Sequence, residues 1–284
     1  MFGRRPDGRK VKNIDPFMRI IPYIMKDRVD SQIFFDEEYD CGPMDEYIKA
    51  KRQEGIKLSY MTIIMAAFIR VIALKPALNR YVMRGRLFTR DKIWVSFAIQ
   101  KDMRQGTSET TIKIPFEGTE NIFDVAARIE EEIVKAQDIN ADTETDDMAN
   151  LIMKLPGFLI RFVVNLLMWM DKWDMCPKAV LDASPFHTTV FLTNLKSLGI
   201  NKVFHHIYNF GTTGIFIGLG KEKQKPAVAM GQMDKKWMCP MGVVVDERIC
   251  DGMYFGQAFK QFRKYLKNPA LLEERLEAKV EDVK

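Results

Sequence analysis

The segment Ser59 to Leu74, SYMTIIMAAFIRVIAL, constrains the fold most, because it is apolar on nearly every face. A helix of that composition has no side to offer to water, so other elements must cover it from more than one direction and it belongs at the centre of a domain. The rest of the chain can supply that cover. It has 284 residues, 47% of them hydrophobic, enough for one substantial core.

Elements of two periods surround this helix. Apolar residues at helical spacing after Asp15-Pro16 predict a helix over residues 14–28, and further helices are expected over 43–54, 121–139 and 252–267. Alternating or β-branched runs predict strands at 31–39, 87–89, 93–99 and 112–115, then at 188–194, 214–220, 227–232 and 241–246. No repeat or low-complexity linker separates them, and strands and helices interleave without a regular βαβ rhythm. The expectation is one α+β domain over 14–272 with a large mixed β-sheet and flanking helices. Residues 1–13, with Arg4, Arg5, Arg9, Lys10 and Lys12, read as a basic N-terminal tail. Residues 273–284 read as a charged C-terminal tail in a loose helix.

Charge and cysteine usage exclude several classes. The net charge of +5 is the difference between 43 basic and 38 acidic residues spread along the chain, which makes a solvated surface and not a nucleic-acid stripe. Cys41, Cys176, Cys239 and Cys250 stand far apart without a C-x-x-C pair, so neither a zinc site nor a disulfide frame is expected, and a cytoplasmic setting is. No P-loop or dinucleotide fingerprint occurs, and the Gly211 to Gly214 turn is too ordinary to read as a phosphate cradle. Leu151 to Met170 approaches the ~20 residues needed to span a bilayer. Lys154, Pro156, Arg161 and Asn165 interrupt it. It therefore reads as a buried or interfacial helix whose apolar surplus, ending at Trp169 and Trp173, covers a subunit contact or rests on a membrane surface.

The sharpest functional signal is MGVVVDERICDGMYFGQAFKQFRKYLKNPALLEE, a strand running through Asp246 to Gly252 into an amphipathic helix. This segment resembles the active-site segment of the 2-oxoacid dehydrogenase acyltransferases and of chloramphenicol acetyltransferase, which carry H-x-x-x-D-G there. Further segments are similar in the same order. They are FMRIIPYIMKDRVDSQ with Arg19, the buried helix ending in Pro76-Ala77-Leu78-Asn79, WVSFAIQ, TIKIPF, and FLTNLKSLGI against I-S-N-x-G. The resemblance implies a chloramphenicol acetyltransferase-like fold, coenzyme A thioesters as substrates, no metal, and a homotrimer with each site between two subunits.

The resemblance also assigns residues. Asp251 is expected to pair with Arg19 and hold the turn before Gly252, or else to be an ordinary turn aspartate. Thr193 is expected to supply, from the neighbouring subunit, the hydroxyl that stabilises the tetrahedral oxyanion, with Asn194 as the turn residue beside it. The base position holds Glu247 where the family has histidine. A carboxylate of pKa ~4.3 is a poor base for a thiol near ~8.5 unless burial raises it. Three readings stay open: a tuned Glu247, a recruited His205 or His206, or a site without chemistry. Two adjacent histidines in a strand would face opposite sides, so only one of that pair could work, and His187 is expected to be a packing or surface residue.

Lipoyl-bearing relatives place a lipoyl domain and a subunit-binding domain ahead of this core. This chain starts at the core, so it is not expected to act as a self-sufficient component of a dehydrogenase complex. Two functions follow: a stand-alone acyl-CoA-dependent acyltransferase with a small-molecule acceptor, or a catalytically silent trimeric scaffold (pseudoenzyme) or regulatory acyl-CoA binder. Assembly beyond the trimer stays open.

Overall fold

The computed structural model of the chain describes residues 5–100, 109–137, 151–173, 175–229 and 232–284. The helix expected at the centre is there. Helix α3 (Tyr60–Leu74) is capped by Ser59, whose hydroxyl accepts from Thr62 N at 3.1 Å, and every residue from Thr62 to Ala73 is buried. Its Ile63, Ile64, Phe68, Ile69 and Ile72 are each worth about 1.5–3 kcal/mol of burial. That burial is supplied by α4 (Ile122–Gln137) and α7 (Gly252–Lys267), which pack on α3, and by the sheet beneath.

The main sheet has seven strands, with β2 (Gln32–Asp40), β10 (Gln232–Asp246), β8 (Ile215–Leu219), β7 (Val190–Asn194), β5 (Ile93–Gln100) and β6 (Glu109–Phe116) in that order and β9 (Lys223–Ala229) on β10. β7 runs parallel to β5 and β8 while the other pairs are antiparallel, so the sheet is mixed. Alternation sorts its two faces. Val190, Leu192, Ile215, Ile217, Val243 and Val245 face the helices, while Phe191, Phe216 and Val244 join Ile207 in a separate cluster on the opposite, outer face.

The predicted boundaries hold for α3, α4 and α7 and shift for others, most of all for β10, which runs over Gln232–Asp246 where separate strands at 227–232 and 241–246 are expected, because its polar first half lacks the β-branched run. α1 (Pro16–Ile24) stops short of residue 28, α2 spans Gly42–Gln53, and the apolar helix is α5 (Gly157–Lys172), starting after Pro156. A short α6 (Lys178–Ala183) lies where the sequence pattern predicts no element. The predicted continuation of α4 to residue 139 falls outside the described residues.

Residues 5–13 and 273–284 pack on the domain. β1 (Gly8–Lys10) joins β4 (Arg86–Arg90) and β3 (Arg80–Met83) in a three-stranded sheet. The tight turn between β3 and β4 puts Arg84 and Gly85 at φ 53° and 69°. Residues 273–284 form no helix. They lie extended against the domain, with Val280 N donating to Ala73 O at 2.8 Å and Arg80 Nη2 2.6 Å from the buried Asp282 carboxylate. Their charge misled the sequence reading, because a buried ion pair and an exposed charge run look the same in composition.

Candidate active site

β10 runs along the sheet and delivers Asp246 to its end, where the chain turns through Glu247 to Cys250 into α7. Asp246 is 1% exposed and accepts from Arg248 Nε at 2.8 Å and Nη2 at 2.7 Å. A second guanidinium, that of Arg28, brings its Nε to 3.5 Å from the same carboxylate. Arg28 also donates to Gly211 O at 2.5 Å and to Tyr208 O at 3.2 Å, and Arg248 to Met25 O and Lys26 O, both at 3.2 Å. Burial pulls the Arg28 pKa down to about 10, against the pull of Asp246, so the guanidinium is still charged at neutral pH. One carboxylate thus ties the end of β10, the segment after α1 and the 208–211 loop into a single knot.

The expected pair of Arg19 and Asp251 is not formed within the protomer. Arg19 is exposed on α1, and Asp251 is exposed and caps α7, accepting from Tyr254 N at 2.8 Å. The reason lies in register. β2 pairs with β10 so that Gln32 stands opposite Asp246, which brings Arg28, four residues before Gln32, to the turn. Arg19 sits back on a separate helix. Gly252 opens α7, and a Cβ at that position would meet nothing within 4 Å.

Glu247 is half-buried, and its backbone N–H donates to Ser31 O at 2.8 Å. Its carboxylate forms no ion pair among the described residues. Arg248 is taken by Asp246, and Lys196 is paired with Glu222. Next to it, Cys250 is 3% exposed and burial pushes its thiol well above the usual range, so it stays protonated. Among the described residues no group of three or more His, Cys, Asp or Glu could hold a metal ion.

Thr193 and Asn194 stand elsewhere. Thr193 pairs with Gly218 on β8, which pairs with Gly242 on β10, five residues before Glu247. At ~3.3 Å per residue and ~4.8 Å per strand, Thr193 and Glu247 lie about 19 Å apart in one protomer. Asn194 turns the chain after β7, its side chain accepting from Lys196 N at 3.2 Å.

The histidines are not in a strand. Residues 201–207 form an irregular strap across the outer face of β8 and β10, and it lies so close that a Cβ on Gly218 would meet Val203 O at 2.5 Å. His205 stacks on Phe216 at 4.1 Å and on His206 at 4.9 Å, so the two rings share one side of the strap. Strand alternation does not apply to such a segment. Both rings lie over the sheet and not at the Glu247 turn. His187 is a buried residue, neither exposed nor isolated. Its Nδ1 meets Ser184 Oγ at 2.8 Å, and its Nε2 lies 3.1 Å from Asp171 Oδ1, off the line of a good hydrogen bond.

Sequence reasoning missed Arg28, Asp246 and Arg248 as the locking residues, and it missed the cavity that the two arginines border. That cavity, about 520 Å³, is lined by Arg28, Arg248, Lys26 and Asn209 on one side and by Met168 and Lys172 of α5 on the other. The available signal was the place of Arg28 just ahead of a strand.

Comparison with known proteins agrees with the fold. The family described as 2-oxoacid dehydrogenases acyltransferase (catalytic domain) matches residues 186–273, a span holding Thr193, both strap histidines and the Glu247 turn. The dihydrolipoyllysine-residue acetyltransferase component of the pyruvate dehydrogenase complex of Mycoplasma capricolum is 25% identical over 224 residues, 77% of this chain. The chain spans about 40% of that protein's length. Among solved structures, the cubic core of a pyruvate dehydrogenase multienzyme complex matches with TM-score 0.59 at 13% identity, covering 93% of this chain and 94% of that one. Chloramphenicol acetyltransferase matches with TM-score 0.52 at 12% identity, covering 92% of this chain and 100% of that one. The chain thus has the chloramphenicol acetyltransferase-like fold, and its C-terminal third resembles the catalytic domain of the 2-oxoacid dehydrogenase acyltransferases.

Proposed function

We propose that the protein is an acyltransferase that takes its acyl group from a coenzyme A thioester and works between copies of the chain in a homotrimer. The observation that carries this reading is the separation of Thr193 from Glu247. The two positions that the resemblance makes partners are about 19 Å apart in one protomer. They can meet only if the β7 end of one copy packs near the β10 turn of another. In the transfer, the acceptor attacks the thioester carbonyl and the carbon–sulfur bond breaks. Glu247 takes the acceptor proton and returns it to the leaving thiolate, while the Thr193 hydroxyl of the adjacent copy donates to the oxyanion. Packing of that copy over the half-buried Glu247 would supply the burial a carboxylate base requires. The acceptor is a small molecule, and assembly of trimers into larger cores would follow the multimeric relatives.

The test is acyl transfer from acetyl- and longer acyl-CoA by the purified protein, with Glu247→Gln and Thr193→Val assayed alone and after mixing. Each variant is expected to lose at least about tenfold in turnover. Mixed trimers are expected to recover part of it, because some interfaces then carry both native residues. Absence of acyl-CoA binding, or unchanged turnover in Glu247→Gln, overturns the proposal. Equally low activity in the mixed sample would refute the shared site.

A second reading, a catalytically silent scaffold or regulatory acyl-CoA binder, draws on one observation. The turn carries a carboxylate where the family has an imidazole, and His205 is stacked on Phe216 instead of reaching the turn. Transfer or hydrolysis of any acyl-CoA that is lost in the site variants excludes it.

A further inference from the structure

Helix α5 is covered by little of its own chain. Phe158, Phe162, Leu166, Trp169 and Trp173 fall at helical spacing on one exposed stripe, with Phe158 73% and Trp169 50% exposed. Its 16 residues reach about 24 Å, short of a ~30 Å hydrocarbon core, and no described helix is long and apolar enough to cross a membrane. α1 carries a second bare stripe of Phe17, Ile20 and Ile24. The two helices border the same 520 Å³ cavity, α1 through Tyr23 and α5 through Met168.

Beside that cavity, sharing Tyr23 and Gly85 with it, lies another of about 290 Å³. Its wall carries Lys10, Lys12, Arg19 and Arg86, and no carboxylate. All four are exposed, and none has an ion-pair partner among the described residues. Arg161 and Lys172 add charge along α5 itself.

We propose that this side of the molecule rests on an anionic bilayer, with the α1 and α5 stripes in the headgroup–acyl boundary and the four cations on lipid phosphates. Charge favours a membrane over a two-fold copy as the occupant. Face-to-face docking of two copies would set Lys10, Lys12, Arg19 and Arg86 against the same four groups, and like charges repel. An anionic lipid surface supplies the opposite charge to the rim and hydrocarbon to the stripes. Tryptophans at the end of a short apolar helix suit that depth. This inference is independent of the acyltransferase reading.

The test is flotation of the full chain with vesicles of phosphatidylcholine, with and without phosphatidylglycerol, at low and high salt. The protein is expected to float with the mixed vesicles, to release at high salt, and to show blue-shifted tryptophan emission. Phe158→Asp/Phe162→Asp is expected to weaken binding at least about tenfold. Arg19→Glu/Arg86→Glu is expected to remove the preference for anionic lipid by a similar factor. Circular dichroism confirms that each variant is folded. If the aspartate variant does not fold, quenching of wild-type tryptophan emission by brominated lipid takes its place. A protein that stays unbound to both vesicles, folded variants that float like wild type, or unquenched emission each overturn the proposal. So does wild type that ignores vesicles while the aspartate variant shifts from oligomer to monomer, since a second copy would then be the occupant.

Discussion

Replacing Asp246 by alanine tests the knot at the turn most directly. The carboxylate is 1% exposed and faces two guanidiniums, at 2.7 Å and 3.5 Å, which stay inside the protein when it is removed. Breaking a buried pair by deleting one partner costs about 3–5 kcal/mol, because the remaining charge is left desolvated. Unfolding a chain of 284 residues carries an entropy of about 0.6 kcal/mol per degree. Asp246→Ala should therefore lower Tm by about 5–8 °C. Asp251→Ala removes only an exposed helix cap, about 1 kcal/mol or about 2 °C. Calorimetry at one fixed protein concentration, which holds any assembly contribution constant, compares the two. Adding Arg248→Met to Asp246→Ala should return part of the loss, because a buried charge leaves with its partner. The reasoning is refuted if Asp251→Ala costs as much as Asp246→Ala, which would restore Asp251 as the buried partner.

Three further predictions address the strap, α7 and the His187 cluster. Gly242→Ala places a Cβ against Val203 O and 3.2 Å from the Phe204 ring, and is expected to cost about 1–3 kcal/mol and to erase the ring-current shift of His205 over Phe216 in NMR spectra. Gly256→Ala, in α7 with nothing within 4 Å, should instead stabilise by about 0.5–1 kcal/mol. Burial lowers the His187 pKa, with Asp171 opposing and Lys113 and Arg5 assisting, so the unfolded chain gains a proton that the native state refuses. Stability is then full above about pH 6.5 and falls as pH drops toward the folded pKa, by at most ~1.4 kcal/mol per pH unit, and His187→Gln should flatten urea midpoints over that range.

Much of the architecture is legible in the sequence because burial repeats with the period of the element. α3 declares itself through sixteen residues with no polar face, and the strand, turn and helix around Glu247 through the switch from a β-branched run to helical spacing. The short strands β1 and β3 carry no such pattern, and neither does the packing of residues 5–13 and 273–284 on the domain. At the site, the strand-to-helix turn around Glu247 is where the sequence places it. Its neighbours are not. Arg19 is named because its helix resembles the family's arginine-bearing first helix, and neither resemblance nor pattern says which side chain reaches a turn more than 200 residues away.

The amino-acid order alone settles most of the long helices, that one helix must be central, and that a carboxylate stands at the end of the last strand. These follow from local geometry and from the cost of leaving apolar surface in water. Only the folded chain decides that Arg28 and Arg248 share Asp246, that Asp282 is buried against Arg80, and that Thr193 and Glu247 sit at opposite ends of one sheet. Those outcomes depend on strand register and on charges meeting across long stretches of chain, where one residue of slip exchanges a buried partner for solvent.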